Sequence, residues 1–228
     1  MTTKTCMIAA SECLDNSDKK DLTKLIKMLE WEPVVSLSAN PDVLLFAGGQ
    51  DISPSLYGQK PLATTDKPNL YRDGCEIQAY MWSQLLVDRP VWKIGICRGM
   101  QLLNVLNGGK LQQHVDNHVD PTNGAVIHQL EYLGKNKQDT YGTFVNSHHH
   151  QMIIPPSNGK QKHNPYQILC QTLGVMNDPE AIYFPNTHSI GVQWHPEWAE
   201  DTDSGSFRMF KRIVDDYVTD LDELEKAA

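Results

Sequence analysis

Residues 91–107 read VWKIGICRGMQLLNVLN, and the change of character part-way along this stretch decides the fold. Val91, Trp92, Ile94 and Ile96 form a β-rich run, after which Leu102, Leu103 and Leu106 recur at helical spacings of three and four. Between the two lies Gly95-Ile96-Cys97-Arg98-Gly99. A strand that stops at a reactive side chain and turns at once into a helix is a nucleophile elbow, written here G-x-C-x-G in place of G-x-S-x-G. The glycines flank Cys97 because so tight a turn crowds neighbouring backbone where a Cβ would clash. The helix N-terminus beneath the sulfur carries partial positive charge, which favours a thiolate. The Arg98 N–H is left to bind an oxyanion. The competing reading is a buried structural cysteine in an ordinary strand-turn-helix, and the rest of the chain must choose between them.

Upstream, residues 4–10 (KTCMIAA) read as a first buried strand, and residues 18–30 as a helix with Leu22, Leu25, Ile26 and Leu29 on one face. Residues 34–37 form a short second strand. Residues 43–46 (VLLF) are continuously apolar, as expected for a strand covered on both faces. That strand runs into Ala47-Gly48-Gly49-Gln50-Asp51, where backbone can approach a ligand closely. The glycine pair reads as a second oxyanion donor facing Cys97 or as a plain strand-to-loop turn. Neither G-x-G-x-x-G nor a Walker motif occurs here, which weakens a phosphate site. Residues 52–70, with Pro54, Pro61 and Pro68, read as a surface loop at a substrate entrance. Asp73 and Glu76 read as a capping-box pair opening a helix to about residue 87, closed by Arg89-Pro90.

Downstream, Gly108-Gly109 stops the elbow helix. Short strands follow within 110–115, 125–133 and 140–154, then a polar turn over 155–165. Further β-like runs cover 166–173, 181–184 and 189–194. A closing amphipathic helix spans 204–224, with Phe207, Phe210, Ile213, Val214 and Tyr217 at helical spacing; its acidic tail, 220–225, reads as a solvated face. A βαβ start, clustered strands and a final helix predict one α/β domain over residues 1–228, with a mixed sheet and helices on both faces.

Hydrophobic residues make up 40% and charged residues 21% of the 228, the balance of a soluble globular protein. No apolar run is long enough to span a bilayer, and MTTKTCMIAASECLD lacks a signal peptide's apolar core. A net charge of −8 argues against a nucleic-acid surface. The five cysteines (Cys6, Cys13, Cys75, Cys97, Cys170) are odd in number, scattered and without a C-x-x-C pair. They read as reduced thiols in a cytoplasm, not as a disulfide frame or zinc site.

The run Ile190-Gly191-Val192-Gln193-Trp194 ends at His195-Pro196-Glu197. In an extended chain, residues i and i+2 share a side, so Glu197 can fix the tautomer of His195 and orient its ring. Alone, H-P-E is more often a surface turn. Joined to the elbow, it gives Cys97 as nucleophile, His195 as general base and then acid, and Glu197 as orienter. His148-His149-His150 would alternate faces in a strand and cannot all hold one ion, and His114 and His118 lie in a region without helical pattern. No metal and no cofactor is expected; one of the three adjacent histidines is expected to face the Cys97 pocket.

GICRGMQLLNVLNGG, AGGQDISPSLYG, the RDGCE helix start, VNSHHHQ and GVQWHPEW together resemble the class I glutamine-amidotransferase-like superfamily. Within it they are most similar to the γ-glutamyl hydrolase branch. The resemblance covers residues 43–198 and implies a flavodoxin-like three-layer sandwich, its central sheet mostly parallel with added antiparallel strands. It also implies a Cys97–His195–Glu197 triad and an oxyanion hole from the backbone of Gly49 and Arg98. Gly48 and Gln101 would contact the γ-glutamyl group, with His149 near the pocket. The implied partner is a small γ-glutamyl substrate, with a homodimer left open. Two rival readings stay open: a glutaminase subunit serving a separate synthetase, and a silent binding module. The segment before VLLFAGG is shorter than the resemblance leads one to expect, and the acidic block before the last strands survives only in residues 177–182.

Overall fold

A computed structural model of the chain describes residues 3–86, 89–119, 125–135, 143–155, 165–174 and 178–218. The first half alternates strand and helix: β1 (Thr5–Ile8), α1 (Asn16–Met28), β2 (Glu32–Val34), β3 (Val43–Phe46), α2 (Leu70–Leu85), β4 (Trp92–Ile96) and α3 (Arg98–Leu106). The second half is mostly strand: β5 (Leu111–Gln112), β6 (Val126–Tyr132), β7 (Thr143–Ser147), β8 (Met152–Ile153), β9 (Gln167–Thr172), β10 (Pro179–Phe184) and β11 (Ser189–Val192). Helix α4 (Gly205–Tyr217) closes it.

Nine strands form one sheet in the order β2-β1-β3-β4-β11-β10-β9-β6-β7. The first five pair in parallel, and the remaining pairings are antiparallel. With β11 in the fifth place, the parallel half has the flavodoxin-like order. The apolar runs supply both cores. In β3, Val43 and Leu45 pack with Leu22, Leu25 and Ile26 of α1 and Phe207, Phe210 and Ile213 of α4. Leu44 and Phe46 point the other way, to Ala79 and Tyr80 of α2 and Met100, Leu102 and Leu103 of α3. Burying each such side chain contributes roughly 1.5–3 kcal/mol. The result is helix, sheet and helix in three layers.

Boundaries differ from expectation where a local cap outbids periodicity. Helix α1 begins earlier because the Asp15 carboxylate accepts from the Asp18 N–H at 2.9 Å. The second strand lies at Glu32–Val34, beside β1; beyond it, residues 37–39 form a single 3₁₀ turn capped by Ser36. Helix α2 starts at Leu70, capped by Asn69, whose side chain accepts from the Arg72 N–H at 3.1 Å. Asp73 and Glu76 are therefore not a capping box. Both carboxylates are buried and bound by Arg98. The predicted turn over 155–165 and the end of the closing helix, including its acidic tail, lie largely or wholly outside the described residues. No described helix is long and apolar enough to cross a membrane.

Candidate functional site

Strands β3, β4 and β11 are adjacent and parallel, so their carboxyl ends open on the same edge of the sheet, where open α/β folds bind ligands. Cys97 follows β4 directly, with φ 51° and ψ −106°, a left-handed conformation that costs a non-glycine residue about 1–3 kcal/mol. Its N–H donates to the Val192 carbonyl at 2.7 Å, tying the turn to the end of β11. The flanking glycines are required by space. A Cβ on Gly95 would stand 2.4 Å from the Gly99 carbonyl carbon, and one on Gly99 would stand 2.1 Å from the Phe46 oxygen.

Three residues beyond β11, His195 reaches the same place. Its Nδ1 is 2.7 Å from Glu197 Oε1, which leaves the buried Nε2 for Cys97. The pair meets on different backbone from that expected. Residues 196–198 form a single 3₁₀ turn, not a strand end, and that turn brings the carboxylate under the ring. Burial opposes protonation of His195, but the charges of Glu197 and then Cys97, with their hydrogen bonding, outweigh it and hold its pKa well above the ordinary value. Trp198 stacks on the imidazole with centroids 4.0 Å apart and planes 6° from parallel. The cavity at this edge has a volume of about 330 Å³ and includes Gly48, Gly49, Cys97, Gln101, His149 and His195 in its wall.

The Peptidase C26 family profile matches residues 25–197. The chain belongs to the Peptidase C26 family. Protein NtpR of Enterococcus hirae is 35% identical over 188 residues, covering 74% of this chain and 73% of that protein. The γ-glutamyl-γ-aminobutyrate hydrolase PuuD of Escherichia coli is 23% identical over 188 residues, covering 74% and 67%. Among solved structures, a glutamine amidotransferase from Thermotoga maritima aligns with TM-score 0.53 at 14% identity, covering 100% of this chain and 86% of that one. That structural likeness confirms the expected fold class.

In this Peptidase C26 chain, each glycine of the pair after β3 has a separate reason. A Cβ on Gly48 would lie 2.9 Å from His195 Cε1, so Gly48 makes room for the imidazole. Gly49 has φ 132°, and a Cβ there would stand 2.5 Å from Arg72 Nη1. Arg72 Nη2 donates to the carbonyls of Ala47 and Gly48 at 2.9 and 2.8 Å, and its Nε to Glu76 at 3.0 Å. Glu76 and Asp73 in turn bind the Arg98 guanidinium. Because the peptide is trans, drawing the Gly48 carbonyl toward Arg72 turns the Gly49 N–H the opposite way. Arg98 is the first residue of α3, where backbone N–H groups lack intrahelical partners. Gln101 Nε2 donates to the Gln151 carbonyl at 2.9 Å.

All three adjacent histidines reach the cavity wall, where one was expected, because β7 ends at Ser147 and the strand alternation no longer applies. The His148 carbonyl lies 3.9 Å from Cys97 Sγ, and His150 Nε2 is 2.9 Å from Asp51 Oδ1. His149 is buried, with Nδ1 on the Gln151 carbonyl; desolvation, then the neighbouring His118, push its pKa well below the usual value. Sequence reasoning missed Asn146, whose Oδ1 accepts from the His195 N–H at 2.9 Å and whose Nδ2 donates to the His195 carbonyl at 3.1 Å. It also missed the Arg72 clamp and the Trp198 stack. The motifs RDGCE, VNSHHHQ and GVQWHPEW contain all three residues, but only folding gives them partners.

Proposed function

We propose that the protein is a cysteine hydrolase that cleaves the γ-amide of a γ-glutamyl compound through a γ-glutamyl thioester on Cys97. The observation that carries this reading is a strained cysteine at a strand-helix junction beside an imidazole that is itself backed by a carboxylate. The Cys97 thiol passes its proton to His195 Nε2 as the sulfur attacks the amide carbon, and the negative charge on the carbonyl oxygen rests on the N–H groups of Gly49 and Arg98. His195 protonates the departing amine through Nε2, leaving the acyl group on sulfur. The same nitrogen then takes a proton from water, which attacks the thioester and releases glutamate and the free thiol. Glu197 keeps the imidazole oriented throughout.

Charge in the cavity suits this substrate class. Asp18, Asp21, Asp51, Asp66 and Glu197 contribute to its wall, and among the described residues the lining includes no lysine or arginine. An ammonium on the substrate is therefore favoured. Relatives named γ-glutamyl-γ-aminobutyrate hydrolase support the same class. A second reading, a glutaminase that passes ammonia to a separate synthetase, draws on relatives named glutamine amidotransferase-like. Purified protein assayed alone against glutamine and a panel of γ-glutamyl amides separates the two. The hydrolase releases glutamate from the amides unaided, whereas a subunit stays slow without its partner. Cys97→Ala is expected to fold and be inert toward γ-glutamyl amides; wild-type turnover in that variant refutes the assignment.

A further inference from the structure

Behind the cavity, on the antiparallel side of the sheet, buried histidines and carboxylates converge. His118, on the loop after β5, His128 of β6 and Glu180 of β10 each offer a ligand atom, all within 4.8 Å of one another. The sequence pairs His118 with His114; the fold places it edge-on to His128 instead, ring centroids 4.9 Å apart, with His149 at 4.6 Å on another side. Asp178, immediately before β10, lies beside this group, its Oδ2 3.3 Å from His118 Nε2.

The hydrogen-bonding pattern leaves this group short of donors. Main-chain carbonyls only accept, so a ring nitrogen bonded to one must carry the proton. His118 Nδ1 bonds the Asp116 carbonyl at 2.7 Å, His149 Nδ1 bonds the Gln151 carbonyl at 2.9 Å, and His128 bonds the backbone of Asn117. His118 Nε2 then presents a lone pair to Asp178 Oδ2, and His149 Nε2 carries one as well. Among the described residues, Asp178 Oδ2, Glu180 Oε2 and His149 Nε2 are buried acceptors without a hydrogen-bond donor. Buried acceptors facing one another repel, and a cation among them removes that penalty. A carbonyl on the far nitrogen is also how metal-ligating histidines are usually held.

We infer that His118, His128 and Glu180 bind a divalent transition metal of the zinc type, with Asp178 turning in from beside His118 as the fourth ligand. The imidazole and carboxylate donors, with no thiolate, suit zinc over calcium or magnesium. Ligands about 2.0–2.1 Å from a tetrahedral zinc lie about 3.4 Å apart, and the ligand atoms of His118, His128 and Glu180 are already within 4.8 Å of one another. His128 Nδ1 and Glu180 Oε1, 2.7 Å apart, share a proton without metal; binding expels that proton and lets the carboxylate turn onto the ion. The site is structural. It pins the loop carrying His118 against β6 and β10, behind His149, and takes no part in the thioester chemistry.

The test uses the full chain, stripped with a chelator and titrated with cobalt(II) as a spectroscopic stand-in and then with zinc. Expected are about one equivalent bound, visible cobalt absorption of a tetrahedral N/O site that zinc abolishes, and a higher melting temperature with zinc. Glu180→Gln and His128→Gln should lose both the absorption and the melting shift. If either variant fails to fold, Asp178→Asn should still weaken cobalt binding at least tenfold. No cobalt absorption and no zinc-dependent melting shift in the wild type overturns the site, as does an unchanged signal in the folded variants.

Discussion

Gly48→Ala isolates the geometry on which the thiol and imidazole depend. Gly48 does not have a positive φ, so alanine carries no intrinsic backbone strain there. The new methyl group would lie 2.9 Å from His195 Cε1 and 3.6 Å from Cys97 Cβ, where ordinary contact begins at 3.4 Å. Relief requires the ring to move by about 0.5 Å. The ring cannot yield freely: Glu197 holds Nδ1 at 2.7 Å, Trp198 stacks at 4.0 Å, and Asn146 grips the His195 main chain on both sides. An error of 1 Å in a reacting group costs about a hundredfold in rate, so half of that predicts about tenfold, or about 1.4 kcal/mol. The assay is release of p-nitroaniline from γ-glutamyl-p-nitroanilide, with melting temperature followed in parallel. The loss should fall in kcat, with KM and stability nearly unchanged. Undiminished kcat, or a loss confined to KM, refutes the claim that Gly48 sets the ring position; the latter would make it a substrate contact instead.

The other predictions concern charge. Glu197→Gln removes the leading influence that raises the His195 pKa. The imidazolium should then deprotonate at lower pH, and the alkaline limb of kcat/KM should move down with it; an unmoved limb contradicts this. Arg72→Met frees the carbonyls of Ala47 and Gly48, and misaligning one oxyanion donor predicts a fall of about a hundredfold in kcat with little change in KM. Lys93 is buried, and desolvation lowers its pKa to about 7. The unfolded chain keeps that proton to about pH 10.5. Between these values the unfolded state binds more protons, so this residue makes stability rise with pH from about 7 upward. Lys93→Met should flatten that rise and stabilise the protein at pH 7 by roughly 1–3 kcal/mol in urea unfolding.

Elements whose signals are local could be read from the residues alone. A continuous apolar run gave β3, a β-rich run gave β4, three- and four-residue spacing gave α1, α3 and α4, and the glycines around Cys97 announced a crowded turn. His195 and Glu197 could be paired because two residues separate them. The remaining features depend on pairing between strands far apart in the chain. Cys97 and His195 meet because β11 crosses the chain to lie beside β4, a register no single-strand pattern encodes. For the same reason Asp73 and Glu76, read locally as a cap, became the counter-ions of Arg98, and Arg72 became the clamp on Gly48. The histidines gained their partners likewise: His118 turned from His114 to His128 and Glu180 when three separate strands closed the sheet. Local periodicity reports which face of an element is apolar; charge partners and catalytic neighbours are set by which edges come together.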